Sequence, residues 1–145
     1  MNLHTENALP TAMKVLIIDD EPFMRQALSD LSELIGFETC TAADGLEAIA
    51  QFQLHKPHLV LLDLYMPKMN GLAVLARIRQ LDPKCPVILI AGYVNPKLLA
   101  DLGEKAKLDV CLLKPLNRSL TTNLMLKVVR NRSISQKFDA DAKLE

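Results

Sequence analysis

Aromatic residues are scarce in this chain, where 4% of the residues are Phe, Tyr or Trp and Trp is absent altogether. Half of the residues are hydrophobic, so the core must be built mainly from aliphatic side chains. The length of 145 residues suits one domain, and a domain of this size buries roughly 68% of its unfolded surface. The composition therefore predicts a single domain that holds its core unaided.

An excess of basic charge is also absent, because 17 Lys and Arg residues balance 17 Asp and Glu residues. A nucleic-acid-binding domain carries a clustered basic face, and we therefore expect no direct contact with nucleic acid. Lys127, Arg130 and Arg132 form a small basic cluster near the end of the chain. A solvated helix C-terminus explains this cluster better than DNA contact does, since that pole of a helix favours cations.

Long apolar runs and paired cysteines are missing as well. No apolar run reaches the roughly 20 residues that span a membrane, and the first residues lack the apolar core of a signal peptide. The cysteines Cys40, Cys85 and Cys111 are odd in number and have no metal-ligand spacing. We interpret them as reduced core thiols of a cytoplasmic protein without membrane association.

Apolar runs that are typical of buried strands alternate with amphipathic stretches that are typical of helices. The strands are predicted at 14–19, 37–41, 58–62, 86–91 and 110–113. The predicted helices run from Pro22 to Gly36, from Asp44, from Asn70 and Gly71, over about 95–106, and from Asn117 or Ser119. This alternation predicts an α/β fold, a flavodoxin-like doubly wound (βα)5 unit with a five-stranded parallel sheet of order 2-1-3-4-5.

Helical spacing of apolar residues also predicts which side of each helix faces the sheet. The residues expected to face inward are Phe23, Ala27, Leu28, Leu31, Leu34 and Ile35, then Leu46, Ile49 and Phe52, then Leu72, Leu75, Ile78 and Leu81, and finally Leu120, Leu124, Val128 and Val129.

Charged residues follow three of the predicted strands. Asp19 and Asp20 end the first, Asp63 the third and Lys114 the fifth. Because the carboxyl ends of parallel strands form the ligand-binding edge of a sheet, these groups would build a site for a hard divalent cation and a phosphoryl group. Simpler roles are open for each: the first pair could cap a helix, Asp63 could serve a turn, and the lysine could be an exposed strand end.

Three segments resemble the receiver domains of two-component response regulators. They are Asp19-Asp20-Glu21-Pro22, then Asp63-Leu64-Tyr65-Met66-Pro67-Lys68-Met69-Asn70-Gly71, and Leu113-Lys114-Pro115-Leu116. The second is similar to the phosphoacceptor segment of the family and the third to its Lys-Pro pair. The resemblance implies a receiver at 14–132, preceded by a leader at 1–13 and followed by a tail or the start of a linker at 133–145.

The resemblance also implies the role of each site residue. Asp63 would accept the phosphoryl group, and Lys114 would contact one of its oxygens. The implied Mg²⁺ ligands are Asp20, Asp63 and the backbone carbonyl of Tyr65, with Asp19 holding a coordinated water. A cis peptide bond before Pro115 would aim the lysine.

Two positions depart from the family pattern. Ala91 stands where the family usually has Ser or Thr, whose hydroxyl bonds a phosphoryl oxygen, and Cys111 stands where it usually has Tyr or Phe. The N–H of Gly92 remains available to the phosphoryl group. We expect the phosphoryl chemistry to survive and signal transmission to be altered; the alternative is neutral variation with a different switch.

Three functions are compatible with these residues. The favoured one is a Mg²⁺-dependent receiver, phosphorylated by a histidine kinase or a phosphotransfer protein, that regulates an unknown partner or output domain and is not an enzyme. The second is a phosphate-independent receiver-like binding module. The third, a phosphatase like the haloacid dehalogenases, is disfavoured because Tyr65 occupies the place of their second Asp. A homodimer through the fourth helix, fifth strand and fifth helix is a family possibility.

Overall fold

The computed structural model describes residues 12–67, 69–93, 95–97, 100 and 110–143. The strands of its five-stranded sheet are β1 (Met13–Ile18), β2 (Phe37–Ala42), β3 (Leu59–Asp63), β4 (Val87–Ala91) and β5 (Val110–Leu113), and two short strands at Tyr65–Met66 and Met69–Asn70 form a separate ladder. The helices within these residues are α1 (Pro22–Leu34), α2 (Gly45–His55), α3 (Gly71–Leu81) and α4 (Arg118–Lys143). The strands pair in parallel in the order β2-β1-β3-β4-β5, which confirms the predicted doubly wound fold. The helix predicted over 95–106 falls largely outside the described residues.

The central strands are buried on both faces of the sheet. Along β1, Val15 and Ile17 pack in one core cluster with Met125 of α4, whereas Leu16 and Ile18 pack in a second cluster on the opposite face. Parallel strands covered on both faces have nearly continuous apolar sequences, which is why these runs are so evident in the chain. The strand ends that carry charged residues are thus held by two cores at once.

Helix ends follow their local sequence signals. Pro22 begins α1, and the N-cap residue Glu21 makes no side-chain capping bond, so neither Asp19 nor Asp20 caps this helix. Side-chain oxygens do cap the other helices: Asp44 accepts a hydrogen bond from the N–H of Glu47, Asn70 from that of Leu72 and Asn117 from that of Leu120. Gly36 follows α1 with a φ of 104°, a conformation that favours glycine.

Several apolar residues that were expected to face inward are exposed instead. These are Phe23, Ala27, Leu34, Leu46 and Leu120. In α1 the buried residues are Leu28, Ser29 and Ser32, and the hydroxyl of Ser32 donates to the carbonyl of Leu28 at 2.7 Å. Because that bond satisfies the buried hydroxyl, small polar residues share the packed side of α1 with Leu28. The prediction was confirmed for Leu28 and wrong for Phe23, Ala27 and Leu34.

The last helix is longer than the sequence indicated. Because α4 continues to Lys143, the basic cluster of Lys127, Arg130 and Arg132 lies in the interior of a helix. Its explanation by a helix C-terminus was therefore wrong. Among the described residues, no helix combines the length and the apolar character that crossing a membrane requires.

Candidate functional site

Three carboxylates meet where β1 and β3 end. Asp19 and Asp20 follow β1 directly, and Asp63 is the last residue of β3. The register pairs Ile18 with Leu62, so the two strand ends lie side by side. One carboxylate oxygen from each of the three residues lies within 4.8 Å of the other two. Asp19 and Asp63 are buried and Asp20 is half-buried.

Backbone and side-chain donors hold the loop that carries the first acidic pair. The carboxylate of Asp19 accepts a hydrogen bond from the N–H of Glu21 at 2.9 Å, and its own N–H donates to Ala42 of β2 at 3.1 Å. The guanidinium of Arg25 donates to the backbone carbonyl of Asp19 at 2.8 Å. Sequence reasoning missed this arginine, although a helix that begins at Pro22 places it in the first turn beside the acidic pair.

Asp19 combines burial with an oxygen that has no partner. Its Oδ2 is buried and accepts no hydrogen bond from the described residues. Burial is the main reason that the pKa of Asp19 is raised to about 6. The hydrogen bond from the N–H of Glu21 lowers this pKa, and the nearby Asp63 carboxylate raises it further. A hard divalent cation binds carboxylate oxygens, so it would stabilise this cluster of carboxylates, one of which has an oxygen without a hydrogen bond from the described part of the chain. The donor set therefore fits Mg²⁺.

Lys114 brings a positive charge to the same edge. It directly follows β5, and its Nζ lies 3.5 Å from Oδ2 of Asp63. The backbone N–H of Lys114 donates to the carbonyl of Ala91 at 2.8 Å, which ties the lysine to the end of β4. The peptide bond between Lys114 and Pro115 is cis. The ammonium group thus faces one oxygen of Asp63.

The segment after Asp63 packs closely against the start of α3. Oδ1 of Asp63 accepts a hydrogen bond from the N–H of Tyr65 at 3.2 Å, and Tyr65–Met66 pairs with Met69–Asn70 in a short antiparallel ladder. A Cβ atom at Gly71 would lie 2.5 Å from the carbonyl oxygen of Leu64 and 2.9 Å from that of Asp63. Sequence reasoning took this glycine only for a helix start, because the close approach of two backbones leaves no local signal.

The atypical positions lie on the other side of the site. Ala91 is fully buried at the end of β4. Gly92 is exposed, and no atom of the described residues lies within 4 Å of the position that a Cβ would take there. Cys111 is half-buried on β5, and burial raises the pKa of its thiol. Neither Ala91 nor Cys111 presents a hydroxyl or an aromatic ring to the site.

Two tyrosine rings lie beside each other at this edge. The rings of Tyr65 and Tyr93 stack with their centroids 5.0 Å apart and their planes 14° from parallel. Both side chains are partly in solvent, with 42% of Tyr65 and 70% of Tyr93 exposed. The stack joins the segment after β3 to the segment after β4.

The sequence of this chain matches a known protein family. The family model of the response regulator receiver domain matches residues 15–125. The chain belongs to this family. Receiver domains are signalling domains of two-component response regulators, so the acidic edge lies in a fold of established class.

The relatives of this receiver differ in length. The chemotaxis protein CheY of Listeria monocytogenes is 36% identical over 104 residues, which cover 71% of this chain and 87% of that protein. The probable transcriptional regulator ycf27 of Cyanophora paradoxa is 43% identical over 79 residues, which cover 54% of this chain and 33% of that protein. The chain therefore spans most of the chemotaxis protein and a third of the transcriptional regulator.

Solved structures are similar over most of the receiver. The CheY chain in the crystal structure of a CheX–CheY–BeF3–Mg²⁺ complex from Borrelia burgdorferi is 32% identical and gives a TM-score of 0.74. The similarity covers 80% of this chain and 88% of that chain.

Proposed function

We propose that this receiver accepts a phosphoryl group on Asp63 from a histidine kinase or a phosphotransfer protein and thereby regulates a partner or an output domain. The observation that carries the proposal is the meeting of three carboxylates within 4.8 Å of one another with an ammonium group 3.5 Å from Asp63. Phosphoryl transfer needs negatively charged oxygens that bind a metal ion. It also needs a positively charged side chain that contacts a phosphoryl oxygen.

Asp63 is the nucleophile in this proposal. Its Oδ1 is engaged by the N–H of Tyr65, which leaves Oδ2, on the side of Lys114, to attack the phosphorus atom in line. The new P–O bond forms as the P–N bond to the histidine of the donor breaks. The ammonium of Lys114, already near Oδ2, then contacts a phosphoryl oxygen and stabilises its negative charge.

We propose Asp20, Asp63 and the backbone carbonyl of Tyr65 as ligands of Mg²⁺, with Asp19 holding a coordinated water. The unpartnered Oδ2 of Asp19 supports this assignment, because a coordinated water would donate a hydrogen bond to it. Bound Mg²⁺ would supply the positive charge that offsets the repulsion between these carboxylates and a phosphoryl group. The Mg²⁺ and BeF3 in the Borrelia relative add support.

The residues at the end of β4 and on β5 determine which further contacts the phosphoryl group can make. The N–H of Gly92 is proposed to contact the phosphoryl group, whereas Ala91 and Cys111 contribute no polar contact to it. We therefore infer that phosphorylation is retained and that its transmission differs from the usual hydroxyl-based switch. The receiver promotes its own phosphorylation and dephosphorylation and does not turn over other substrates.

The proposal extends to the rest of the chain. The receiver occupies residues 14–132, with a leader at 1–13 and a tail or linker start at 133–145. Cys40, Cys85 and Cys111 form no disulfide bond, and reduced thiols suit a reducing compartment, so we propose a cytoplasmic location. We also propose that the receiver can form a homodimer, that a histidine kinase or a phosphotransfer protein is its donor, and that it regulates one partner or output domain.

Intact-mass spectrometry after incubation with Mg²⁺ and acetyl phosphate tests the proposal. We expect a gain of about 80 Da, one phosphoryl group, in the wild type, with no gain in Asp63→Asn or after prior removal of Mg²⁺ by EDTA. A wild type that gains no mass from acetyl phosphate or from phosphorylated kinases would contradict it. That outcome would favour the second candidate, the phosphate-independent binding module. This candidate is supported by the buried methyl group of Ala91, which stands where the family usually has a hydroxyl for a phosphoryl oxygen.

A further inference from the structure

The loop that follows β4 begins with Gly92 and Tyr93, and the last residue of β4, Ala91, offers no side-chain hydrogen bond to a group at Asp63. Ala91 is fully buried, and its methyl group donates no hydrogen bond. Cys111 packs against the core on one face of the sheet and brings no ring toward the site. Apart from the proposed contact of the Gly92 N–H, a signal that starts at Asp63 therefore has to reach this loop through side chains other than these two.

The stacked tyrosines supply such a contact. Tyr65 lies two residues after Asp63, and Tyr93 lies two residues after Ala91. Because β3 and β4 are neighbours, with Asp63 opposite Ile90, the ring centroids at 5.0 Å bridge the two loops at the mouth of the site. Stacking of aromatic rings shifts an equilibrium by roughly 2- to 10-fold.

Polar contacts connect Asp63 to the backbone of Tyr65 and, through Lys114, to Ala91, which lies two residues before Tyr93. On one side, the N–H of Tyr65 donates to Oδ1 of Asp63 at 3.2 Å. On the other side, the carbonyl of Ala91 accepts from the N–H of Lys114 at 2.8 Å, and Nζ of that lysine lies 3.5 Å from Oδ2 of Asp63. A group that binds at Asp63 therefore acts on both supports of the stack.

We propose that the Tyr65–Tyr93 stack is a positioning device that couples occupancy of Asp63 to the position of the loop after β4. This inference rests on the proposed function. The stack holds the loop near Asp63 before a phosphoryl group arrives, so the loop does not have to be ordered on binding. Because coupling is reciprocal, loss of either ring weakens binding at Asp63, and binding at Asp63 changes the environment of both rings.

Beryllofluoride, a phosphoryl mimic, with Mg²⁺ provides a test by NMR on protein labelled with ¹⁵N in its five glycines. Gly71, whose backbone approaches those of Asp63 and Leu64, reports loading of the site. We expect Tyr65→Ala and Tyr93→Ala each to weaken the apparent affinity for beryllofluoride by roughly 2- to 10-fold. The double variant should be no weaker than the single variants, because both remove one contact.

Two further measurements separate coupling from a merely structural role. Tyr93→Phe keeps a ring and should bind beryllofluoride within about 2-fold of the wild type. The chain has two tyrosines and no tryptophan, so tyrosine emission comes entirely from the stack. This emission should change on loading of the wild type and stay constant in Asp63→Asn.

The possible failures are distinguishable. A Gly71 signal that ignores beryllofluoride in the wild type overturns the proposed function together with this inference. A wild type that responds, while the single alanine variants bind equally well or their effects add in the double variant, overturns the coupling alone. Both rings are partly exposed, so the variants should fold, and unchanged signals of Gly36 and Gly45 would verify that they do.

Discussion

Replacement of Gly71 by Ala tests how closely the first residue of α3 packs against the segment after Asp63. The added Cβ would lie 2.5 Å from the carbonyl oxygen of Leu64 and 2.9 Å from that of Asp63. Ordinary van der Waals contacts begin at 3.4 Å. The nearest atoms are backbone atoms, which cannot rotate away as a side chain would, so the segment itself must move by about 1 Å.

The energetic cost follows from this overlap. Overpacking of a tight contact costs about 1–3 kcal/mol, and the preference of a helix for Ala over Gly returns less than about 1 kcal/mol at a first helical residue. We therefore expect Gly71→Ala to lower the free energy of unfolding by about 1–2 kcal/mol. For a domain of this size, that loss lowers Tm by roughly 3–8 °C.

Urea unfolding and phosphorylation by acetyl phosphate measure the two consequences separately. Gly92→Ala is the control for stability, because no atom of the described residues lies within 4 Å of a Cβ at that residue, and its stability should stay within about 0.5 kcal/mol of the wild type. Gly71→Ala should also be phosphorylated more slowly, since the backbone of Asp63 is among its contacts. A Gly71→Ala protein as stable and as readily phosphorylated as the wild type would refute the reasoning.

Three more predictions follow from burial. In metal-free buffer, Asp19→Asn should raise the free energy of unfolding by about 2–3 kcal/mol at about pH 7.5 and hardly at all near about pH 4. The reason is that Asp19 has a pKa of about 6 in the folded protein against an ordinary value of 3.8, so the wild type loses stability as pH rises through this window; urea titrations that show one constant difference would contradict it. Ile78→Ala, at a fully buried side chain, should cost about 2–5 kcal/mol of unfolding free energy, whereas Leu46→Ala, at a side chain that is 90% exposed, should change it by less than about 0.5 kcal/mol; similar urea midpoints would refute this. Because burial raises the pKa of the Cys40 and Cys111 thiols, iodoacetamide should alkylate them much more slowly in the native protein than in urea, and equal rates by mass spectrometry would contradict this.

The sheet and its acidic edge were predictable because their signals are local and strong. Strands buried on both faces leave continuous apolar runs such as Val15 to Ile18, and chain direction alone then assigns Asp19 and Asp63 to one edge. Strand order brings these carboxylates together without any knowledge of side-chain packing. The coarse position of the site therefore follows from topology.

Helix faces and loop contacts were less predictable because they depend on distant partners. Phe23 is 81% exposed whereas Ser32 is buried, since a hydroxyl that bonds within its own helix can pack where the apolar pattern favours a larger residue. The Tyr65–Tyr93 stack depends on two loops that are far apart in sequence. Local spacing places each tyrosine near the site but cannot establish that the rings touch.

The charges at the end of the sheet also affect the kinetics of encounter. Among the described residues, three carboxylates meet there with the ammonium group of Lys114 and the guanidinium of Arg25, which leaves a net negative charge in a chain whose formal net charge is zero. Such a concentration of negative potential attracts divalent cations and repels small anions within a screening length of about 10 Å at 0.1 M salt. Added salt should therefore slow capture of Mg²⁺ while it speeds the approach of a small anionic phosphodonor. A protein donor avoids the repulsion if its own surface is complementary in charge, so under the proposed function this edge would discriminate between donors before any bond is made.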